Sequence, residues 1–247
     1  TLESKYRLLG WQFPYDEKTA LKSQDKLSAK DLKILSSSQI LNRVKTLKSL
    51  GLNKLLIEHL PKFKFSKDKK LLKKLGESYL ESLFKELFFS RIIDLYKNGT
   101  LSKIWVLSKE TQLYWTARSY LKRKNIPDAR STIYKFERLN TKDKRLPVLF
   151  YKIASRYMID SETEKAQFWW KKIIKDFPQH NLYKKTLWLL SWTNFQENEY
   201  EKAIFNLNKI LKTKIYSSEM KAKLLYWLGK LYQKTGKSEL AKKSFKK

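Results

Sequence analysis

The sequence predicts an all-α fold, an α-solenoid of helical hairpins that forms a right-handed superhelix. The first observation is a repeat: alanine recurs within a common apolar pattern at Ala129, Ala166, Ala203 and Ala241, at intervals of 37, 37 and 38 residues. A period of this length is typical of a repeated two-helix unit. The second is composition, because 6 Gly and 5 Pro among 247 residues are too few for the many tight turns of an all-β chain.

The clearest repeats fit the tetratricopeptide (TPR) pattern of two packed helices, A and B. In the last repeat Gly229 and Tyr232 fall on helix A and Ala241 on helix B, and the repeat around Ala166 is followed by Pro178. Small residues let the two helices approach closely, while larger residues at i, i+3, i+4 and i+7 fill the seam between them. One hairpin cannot bury its apolar face alone, so we expect neighbouring hairpins to stack.

Turn and capping signals delimit the predicted helices. Ser161-x-x-Glu164 matches a capping box and predicts a helix start there, and Ser238 is predicted to cap the final helix. Pro178 predicts that the preceding helix ends at Asp176-Phe177. Asn125-Ile126-Pro127-Asp128 predicts a turn with a proline at a helix start.

The first half of the chain is less regular. Gln39 to Leu60 is predicted to be a degenerate unit that turns at Gly51 and has Leu56 where the later units have alanine. Lys69 to Tyr96 is predicted to form one or two helices, ended by Asn98-Gly99. Asn98-Gly99-Thr100 also matches an N-glycosylation sequon, but we interpret it as a turn.

These signals predict one continuous superhelical domain preceded by a cap. Residues 1–36 are predicted to be an N-terminal capping segment, because the end of a solenoid has to be covered. Irregular helical repeats are expected at residues 37–109, and four TPR-like repeats of 37 to 38 residues at 110–247.

The chain is strongly basic, with 54 Lys and Arg against 24 Asp and Glu and a net charge of +30. Such a charge attracts polyanions such as nucleic acid, anionic lipid or anionic cell-wall polymer. Only nine of the basic residues are Arg, whereas surfaces that read nucleic-acid sequence favour Arg. We therefore interpret most of the charge as a solvated surface, with RNA or another polyanion as a distant third choice of ligand.

Composition excludes several kinds of chemistry. There is no Cys, so disulfides, thiolate metal sites and a Cys nucleophile are ruled out. The two histidines, His59 and His180, have no acidic partner at the spacing of a metal site or a catalytic triad, and we expect no metal and no cofactor. No apolar run approaches the ~18 residues of a membrane span. No signal peptide precedes Thr1, so we expect a targeting segment to have been removed or never present.

An aromatic ladder is the main candidate for a ligand-binding groove. When each repeat is numbered so that its helix-B alanine is position 20, position 5 is aromatic in all four repeats and position 9 is basic or aromatic in three. The candidate groove residues are Tyr114, Arg118, Tyr151, Trp188, Trp192, Tyr226 and Lys230. Aromatic faces suit sugar rings or peptide side chains, and the cations suit carboxylates. The alternative is that these rings only pack between neighbouring A helices.

Two further segments combine aromatic residues in an unusual way. Trp169 and Trp170 are adjacent on a B helix and face about 100° apart, so we expect Trp170 in the core. Trp169 either is partly exposed and contacts a ligand or, as we favour, packs against the next repeat. The segment Lys62 to Lys74 has seven lysines interleaved with Phe63 and Phe65. It either holds single-stranded nucleic acid or, as we favour, is a loop whose phenylalanines dock on the repeats while the lysines stay solvated.

The repeats resemble the helical superhelix of the soluble lytic murein transglycosylases. Leu113 to Arg118 and Leu225 to Lys230 are similar to the Tyr-Trp-bearing helices of that family. Thr186 to Trp192 and the earlier segment Arg43 to Leu60 resemble further units of the same array. The resemblance covers residues 37–247 in outline.

The resemblance implies a non-catalytic scaffold of a periplasmic enzyme, which positions peptidoglycan or a partner protein. The family's catalytic domain carries a Glu-Ser dipeptide followed by a Gly-Leu-Met-Gln motif. Gly76-Glu77-Ser78 and Glu81-Ser82 lie in a helical apolar pattern without that motif, and glycoside cleavage needs a carboxylic acid in a desolvated cleft. We therefore assign no catalytic residue and expect this chain alone not to be an enzyme. The alternative function is a general TPR adaptor that binds a peptide or protein in its concave groove.

Overall fold

The computed structural model describes residues 35–213 and 217–246. Within these ranges the chain forms thirteen α-helices and one 3-10 turn, and no strand, which confirms the predicted all-α solenoid class. The chain divides into two compact units that meet between Thr132 and Ile133. The predicted capping segment, except for Leu35 and Ser36, lies outside the described residues. The predicted boundaries after residues 36 and 109 stay predictions.

The first unit consists of helical hairpins around an aliphatic core. Its helices are α1 (Ser37–Ser49), α2 (Asn53–His59), a 3-10 turn (Leu60–Phe63), α3 (Lys69–Lys85), α4 (Phe89–Lys97), α5 (Thr100–Lys103), α6 (Lys109–Lys122) and the first part of α7 (Ile126–Leu139). Leu56, Leu75 and Leu83 are fully buried in its core. The predicted unit at Gln39 to Leu60 is therefore a hairpin, and Lys69 to Tyr96 forms two helices.

The second unit contains the end of α7 and three helical hairpins. The hairpins are α8 (Leu146–Ile159) with α9 (Thr163–Asp176), α10 (Leu182–Gln196) with α11 (Tyr200–Lys212), and α12 (Ser218–Lys234) with α13 (Ser238–Phe245). Ala166, Ala203 and Ala241 are buried on the second helix of their hairpins. Each hairpin therefore has the small, buried helix-B residue that the TPR pattern predicts, and α8, α10 and α12 are the A helices.

The same turn follows six helices of the described chain, α1, α3, α6, α8, α10 and α12. One residue adopts a left-handed conformation, with φ between +60° and +72°. The next residue donates its backbone N–H to the carbonyl five residues earlier, at 2.8–3.0 Å. This is the Schellman hydrogen bond, which satisfies a carbonyl that the helix end would leave unpaired. The left-handed residues are Gly51, Leu87, Lys124, Ser161, Asn198 and Gly236.

This turn extends the repeat into the first half of the chain. Its left-handed residues follow one another at intervals of 36, 37, 37, 37 and 38 residues, and the residue five positions later is always buried on helix B. Those buried residues are Leu56, Ile92, Ala129, Ala166, Ala203 and Ala241. The α3/α4 hairpin is thus a regular repeat that the sequence pattern does not reveal, because Leu87 stands at the turn position and Ile92 replaces alanine.

Two predicted helix caps are wrong. Ser161 is the left-handed turn residue, and α9 begins after Glu162, whose side chain makes no capping hydrogen bond. The last helix begins at Ser238 itself, with Lys237 at the cap position and again no side-chain cap. In both places the Schellman turn of the preceding helix fixes where the next helix starts. The predicted helix end before Pro178 is confirmed, because α9 ends at Asp176.

Candidate ligand-binding face

The structure places the seven predicted groove residues in both units. Tyr114 and Arg118 lie on α6 in the first unit, and the other five lie in the second. The Arg118 guanidinium carbon lies 4.1 Å from the ring centroid of Phe84, 4.7 Å from that of Trp115 and 5.3 Å from that of Tyr114. Its Nη1 also donates a hydrogen bond to the Tyr114 hydroxyl at 3.3 Å. Arg118 is therefore enclosed by rings of its own unit.

The other five predicted residues lie on the A helices of the second unit. Tyr151 belongs to α8, Trp188 and Trp192 to α10, and Tyr226 and Lys230 to α12. The Tyr226 ring is 50% exposed and Trp192 is 39% exposed, while Tyr151 and Trp188 are half-buried. None of these rings is a fully buried core residue, so each retains surface that a ligand could cover.

Each position-5 ring of the second unit lies beneath a lysine. Lys185 Nζ is 5.1 Å from the Tyr151 ring centroid, and Lys223 Nζ is 4.8 Å from that of Trp188. In both pairs the lysine comes from position 2 of the following repeat. The sequence prediction, which looked for cations at position 9 of the same repeat, missed Lys185 and Lys223, although lysine at position 2 in two successive repeats was a usable signal.

The last ring follows the predicted pattern. Lys230, at position 9 of its own repeat, has its Nζ 5.8 Å from the Tyr226 ring centroid. We call the surface formed by α8, α10 and α12 the lysine–aromatic face. Its members are Tyr151, Lys185, Trp188, Trp192, Lys223, Tyr226 and Lys230.

A small apolar cleft of about 20 Å³ opens between α10 and α12. Its walls include the rings of Trp188, Trp192, Phe195 and Trp227, and Leu207 lies at its base on α11. The Trp192 ring stacks on Phe195 at 5.7 Å and meets Trp227 edge to face at 5.1 Å. We call this feature the tryptophan cleft. The rings hold one another in place, so the cleft exists before any ligand binds.

The A helices of the second unit are almost free of acidic residues. Helices α8, α10 and α12 together carry eight Lys or Arg and one acidic residue, Glu219. Lys185, Lys223 and Lys230 are exposed, and no described carboxylate lies within ion-pair distance of any of them. Their charges therefore point to a ligand that is itself acidic.

Trp169 and Trp170 are both buried. The Trp169 ring lies 5.2 Å from Tyr134 on α7 and 5.3 Å from Phe150 on α8. The prediction that Trp169 packs between repeats is right, but its neighbour belongs to the preceding helix pair and not to the next one. Lys172 Nζ lies 5.5 Å from the Trp169 centroid and 2.5 Å from a Glu137 carboxylate oxygen, which further ties α9 to α7.

The residues around the two Glu-Ser dipeptides of α3 serve helix packing and ion pairing. A Cβ on Gly76 would lie 2.6 Å from Cβ of Trp105, so this glycine permits the close contact between α3 and the Trp105 segment. Burial alone would raise the pKa of Glu81, but hydrogen bonds from Lys48 and Lys85, at 2.5 and 2.9 Å, outweigh it and lower that pKa. Glu81 is thus held as an ion-paired carboxylate, which is the opposite of a general acid.

The two histidines lie at the end of α2 and just before α10. His59 is buried at the end of α2. Burial lowers the pKa of His180, whose Nδ1 accepts the backbone N–H of Leu182 at 3.2 Å. The described residues contain no group of three or more His, Asp or Glu side chains that could hold a metal ion. In the same part of the chain, no helix has the length and hydropathy that crossing a membrane requires.

Comparison with known proteins identifies the repeat. A family model described as tetratricopeptide repeat matches residues 222–247, which contain most of α12 and all of α13. Comparison with curated proteins gives no match. Two crystal structures of MamA are similar to this chain, each with 18% sequence identity. The first has a TM-score of 0.48, and the match covers 71% of this chain and 88% of the MamA chain. The second has a TM-score of 0.47, and the match covers 68% of this chain and 90% of the MamA chain. None of these findings indicates a relation to the lytic transglycosylases.

Proposed function

We propose that the second unit is a TPR-type adaptor that binds an acidic segment of a partner protein along the lysine–aromatic face. The tryptophan cleft carries this proposal. It is a small, solvent-accessible apolar site, and the exposed Lys223 lies over the ring of Trp188, one of its walls, on helices with almost no carboxylates. Such a surface favours a segment that combines acidic side chains with a bulky apolar one.

The apolar part of the segment would pack over the tryptophan cleft and its exposed Trp192 ring. Covering the exposed part of Trp192 removes apolar surface from water, which contributes about 25 cal/mol per Å². A phenylalanine or leucine of the partner would meet rings that already contact one another at 5.1 and 5.7 Å. Because these rings are held in place beforehand, little side-chain entropy is lost on binding.

The acidic part of the segment would meet the exposed lysines. Lys185 and Lys223 lie over rings, and neither is engaged by a described carboxylate. A partner carboxylate therefore finds a cation without breaking an existing ion pair. The net charge of +30 also speeds the approach of an acidic chain.

Three labelled peptides of about twelve residues test this proposal with the full chain. The first combines Glu with Leu and Phe, the second has Gln in place of each Glu, and the third has Ala in place of each Leu and Phe. Fluorescence anisotropy should show the tightest binding for the first and a loss of about tenfold for either replacement. Equal binding of the first and third peptides would contradict the proposal, because charge alone would then explain the affinity.

A second candidate function is the scaffold of a periplasmic lytic transglycosylase, held on peptidoglycan. The observation that favours it is the Tyr-Trp pair, present as Tyr114-Trp115 and Tyr226-Trp227 at equivalent repeat positions. Co-sedimentation with purified peptidoglycan sacculi across a salt series tests it, beside a Trp188→Ala/Trp192→Ala variant. Binding that survives salt and drops in the variant supports the scaffold. Binding that salt abolishes is explained by net charge and favours the adaptor.

A further inference from the structure

The segment between α2 and α3 has one phenylalanine packed against the core and one exposed. Phe63, the last residue of the 3-10 turn, is partly buried and packs against the core of the first unit. Phe65 is 81% exposed, more than any other large hydrophobic residue described. The prediction that both phenylalanines dock on the repeats is therefore wrong for Phe65. The Ser66 N–H donates to the Phe63 carbonyl at 2.9 Å, which holds this chain in a turn with Phe65 at its tip.

Lysines surround this exposed ring. All seven lysines of residues 60–74, which we call the lysine loop, are exposed: Lys62, Lys64, Lys67, Lys69, Lys70, Lys73 and Lys74. Lys64 Nζ lies 4.9 Å from the Phe65 ring centroid. The tip therefore presents one apolar ring within a dense field of positive charge.

The carboxylate of Asp68, the single acidic residue of the lysine loop, is engaged in hydrogen bonds within the protein. Asp68 caps α3, and its Oδ1 accepts the backbone N–H groups of Lys70 and Leu71 at 2.9 and 3.0 Å. Its Oδ2 accepts the Ser37 hydroxyl at 2.8 Å. Asp68 thus serves the N-terminus of α3. Of the seven lysines, Lys62 also lies 3.9 Å from a Glu58 carboxylate oxygen, and all seven are exposed.

We propose that the lysine loop docks the first unit on the surface of an anionic lipid bilayer. Phe65 enters the interface between headgroups and acyl chains, and the lysines bind lipid phosphates through their long, flexible stems. Each lysine close to an anionic bilayer strengthens binding by about fivefold. Seven exposed lysines and one inserted ring combine electrostatic attraction with buried apolar area, the two contributions that determine how strongly a protein binds at a bilayer surface.

The arrangement of rings favours a bilayer over single-stranded nucleic acid. Nucleic acid of that kind binds through successive free rings, on which neighbouring bases stack. Only Phe65 is free here, because Phe63 is committed to the core. A fluid bilayer, in contrast, accommodates a lone protruding ring without a matching hollow in the protein.

Vesicle binding of the full chain tests the proposal. We expect co-sedimentation with phosphatidylcholine vesicles that contain about 30% phosphatidylglycerol, and little with pure phosphatidylcholine. Phe65→Ala should weaken this binding roughly tenfold, whereas Phe205→Ala, which removes a ring that is 59% exposed in the second unit, should not change it. Binding that ignores Phe65→Ala, or falls equally with Phe205→Ala, would overturn the proposal.

A matched charge comparison separates the lysine loop from net charge. Lys64→Gln/Lys67→Gln/Lys70→Gln should lower vesicle binding on the order of 100-fold. Changing three exposed lysines of the second unit (Lys171, Lys175 and Lys212) to Gln removes the same charge and should lower it far less. Equal losses in the two triple variants would contradict a dedicated site. Neither triple variant alters the lysine–aromatic face, so failure here is distinguishable from failure of the adaptor proposal.

Depth of insertion can be measured directly because the chain has no cysteine. Lys67→Cys, labelled with an environment-sensitive dye, should shift its emission to the blue on anionic vesicles and be quenched by a lipid-borne quencher. A dye at Lys171→Cys should do neither. If the dye at position 67 instead responds to an oligothymidine and not to vesicles, the loop binds nucleic acid and the proposal is wrong.

Discussion

Lys223 Nζ lies 4.8 Å from the ring centroid of Trp188, and the two residues belong to successive repeats. The same relationship joins Lys185 to Tyr151 one repeat earlier, at 5.1 Å. These contacts connect neighbouring A helices and also fix where the positive charge of the lysine–aromatic face lies. The same lysine–ring contacts therefore join successive repeats and form the surface proposed for ligand binding.

This relationship predicts a measurable contribution to stability. Lys223→Gln should lower the free energy of unfolding by about 0.5–1 kcal/mol, because a cation over an accessible ring contributes that amount. Urea unfolding monitored by circular dichroism measures it. Lys221→Gln, a matched change on the same helix at an exposed position, should have a smaller effect. In a Trp188→Leu background the cost of Lys223→Gln should disappear, and an undiminished cost would show that the ring is not its partner.

The left-handed turns predict a stabilising substitution. Leu87 has φ +64° and is 70% exposed, so a side chain there gains little contact and carries backbone strain. Leu87→Gly should raise the free energy of unfolding by about 1 kcal/mol, because glycine adopts this conformation without strain. Gly51→Ala and Gly236→Ala, at the equivalent turn positions, should be destabilising by a similar amount. A Leu87→Gly variant that is less stable than the parent would refute the equivalence of these turns.

We expect substitution of Gly76, which precedes the Glu77-Ser78 dipeptide, to destabilise the protein. The added Cβ of Gly76→Ala would lie 2.6 Å from Cβ of the buried Trp105, an overpacking that costs about 1–3 kcal/mol. Helix propensity offsets about 1 kcal/mol of this cost, so we expect a net loss of up to about 2 kcal/mol in the free energy of unfolding.

Gly229→Ala is the matched control for that change. Its new Cβ would lie 2.5 Å from Cε1 and Cζ of Phe245, the far end of a side chain that is 43% exposed and is displaced at lower cost than the buried Trp105. We expect thermal melts to show a clearly larger drop for Gly76→Ala than for Gly229→Ala. Equal or reversed effects would mean that the contact with Trp105 does not determine the residue at position 76.

His180 predicts a pH dependence of stability. Burial lowers its pKa, which a hydrogen bond with the backbone of Lys144 only partly opposes. The unfolded chain, with the ordinary value of about 6.5, binds the proton more readily, so stability is present above pH 6.5 and is lost as the pH falls through the lowered folded-state pKa. Asn in place of His180 keeps an acceptor for the Leu182 N–H without this titration.

The corresponding experiment compares urea midpoints of the parent and His180→Asn at several pH values between 7.5 and 5. Carboxylates titrate equally in both chains, so the difference between them isolates the histidine. We expect the parent to lose stability relative to the variant below pH 6.5. A constant difference across this range would contradict the role assigned to burial of His180.

The hairpin repeat was predictable from the sequence where small residues recur. The remaining repeat and the helix starts depend on left-handed turns that the residue pattern does not show. Ala166, Ala203 and Ala241 mark helix B correctly because a small residue at that position is a requirement of close helix packing. The repeat at Leu87 and Ile92 was hidden because a left-handed turn tolerates leucine at an energetic cost that no residue pattern displays. Ser161 was misread for the same reason, since its place in the preceding turn prevents it from capping the next helix.

The candidate site was predicted in part. Position 5 rings were identified from their spacing, but the cations above Tyr151 and Trp188 come from the following repeat. The sequence gives no measure of the stacking distance between repeats, and this distance decides which lysine reaches which ring. Likewise Phe63 and Phe65 are alike in sequence, and only the hydrogen-bonded turn between them directs one to the core and the other to solvent.

We propose that a partner binds through the lysine–aromatic face and not through net charge. The most direct measurement compares the affinity of the acidic apolar peptide for two triple variants with the same loss of charge. One changes Lys185, Lys223 and Lys230 to Gln, and the other changes Lys171, Lys175 and Lys212. We predict a loss of about tenfold or more for the first and less than about twofold for the second. Equal losses in the two variants would contradict the claim.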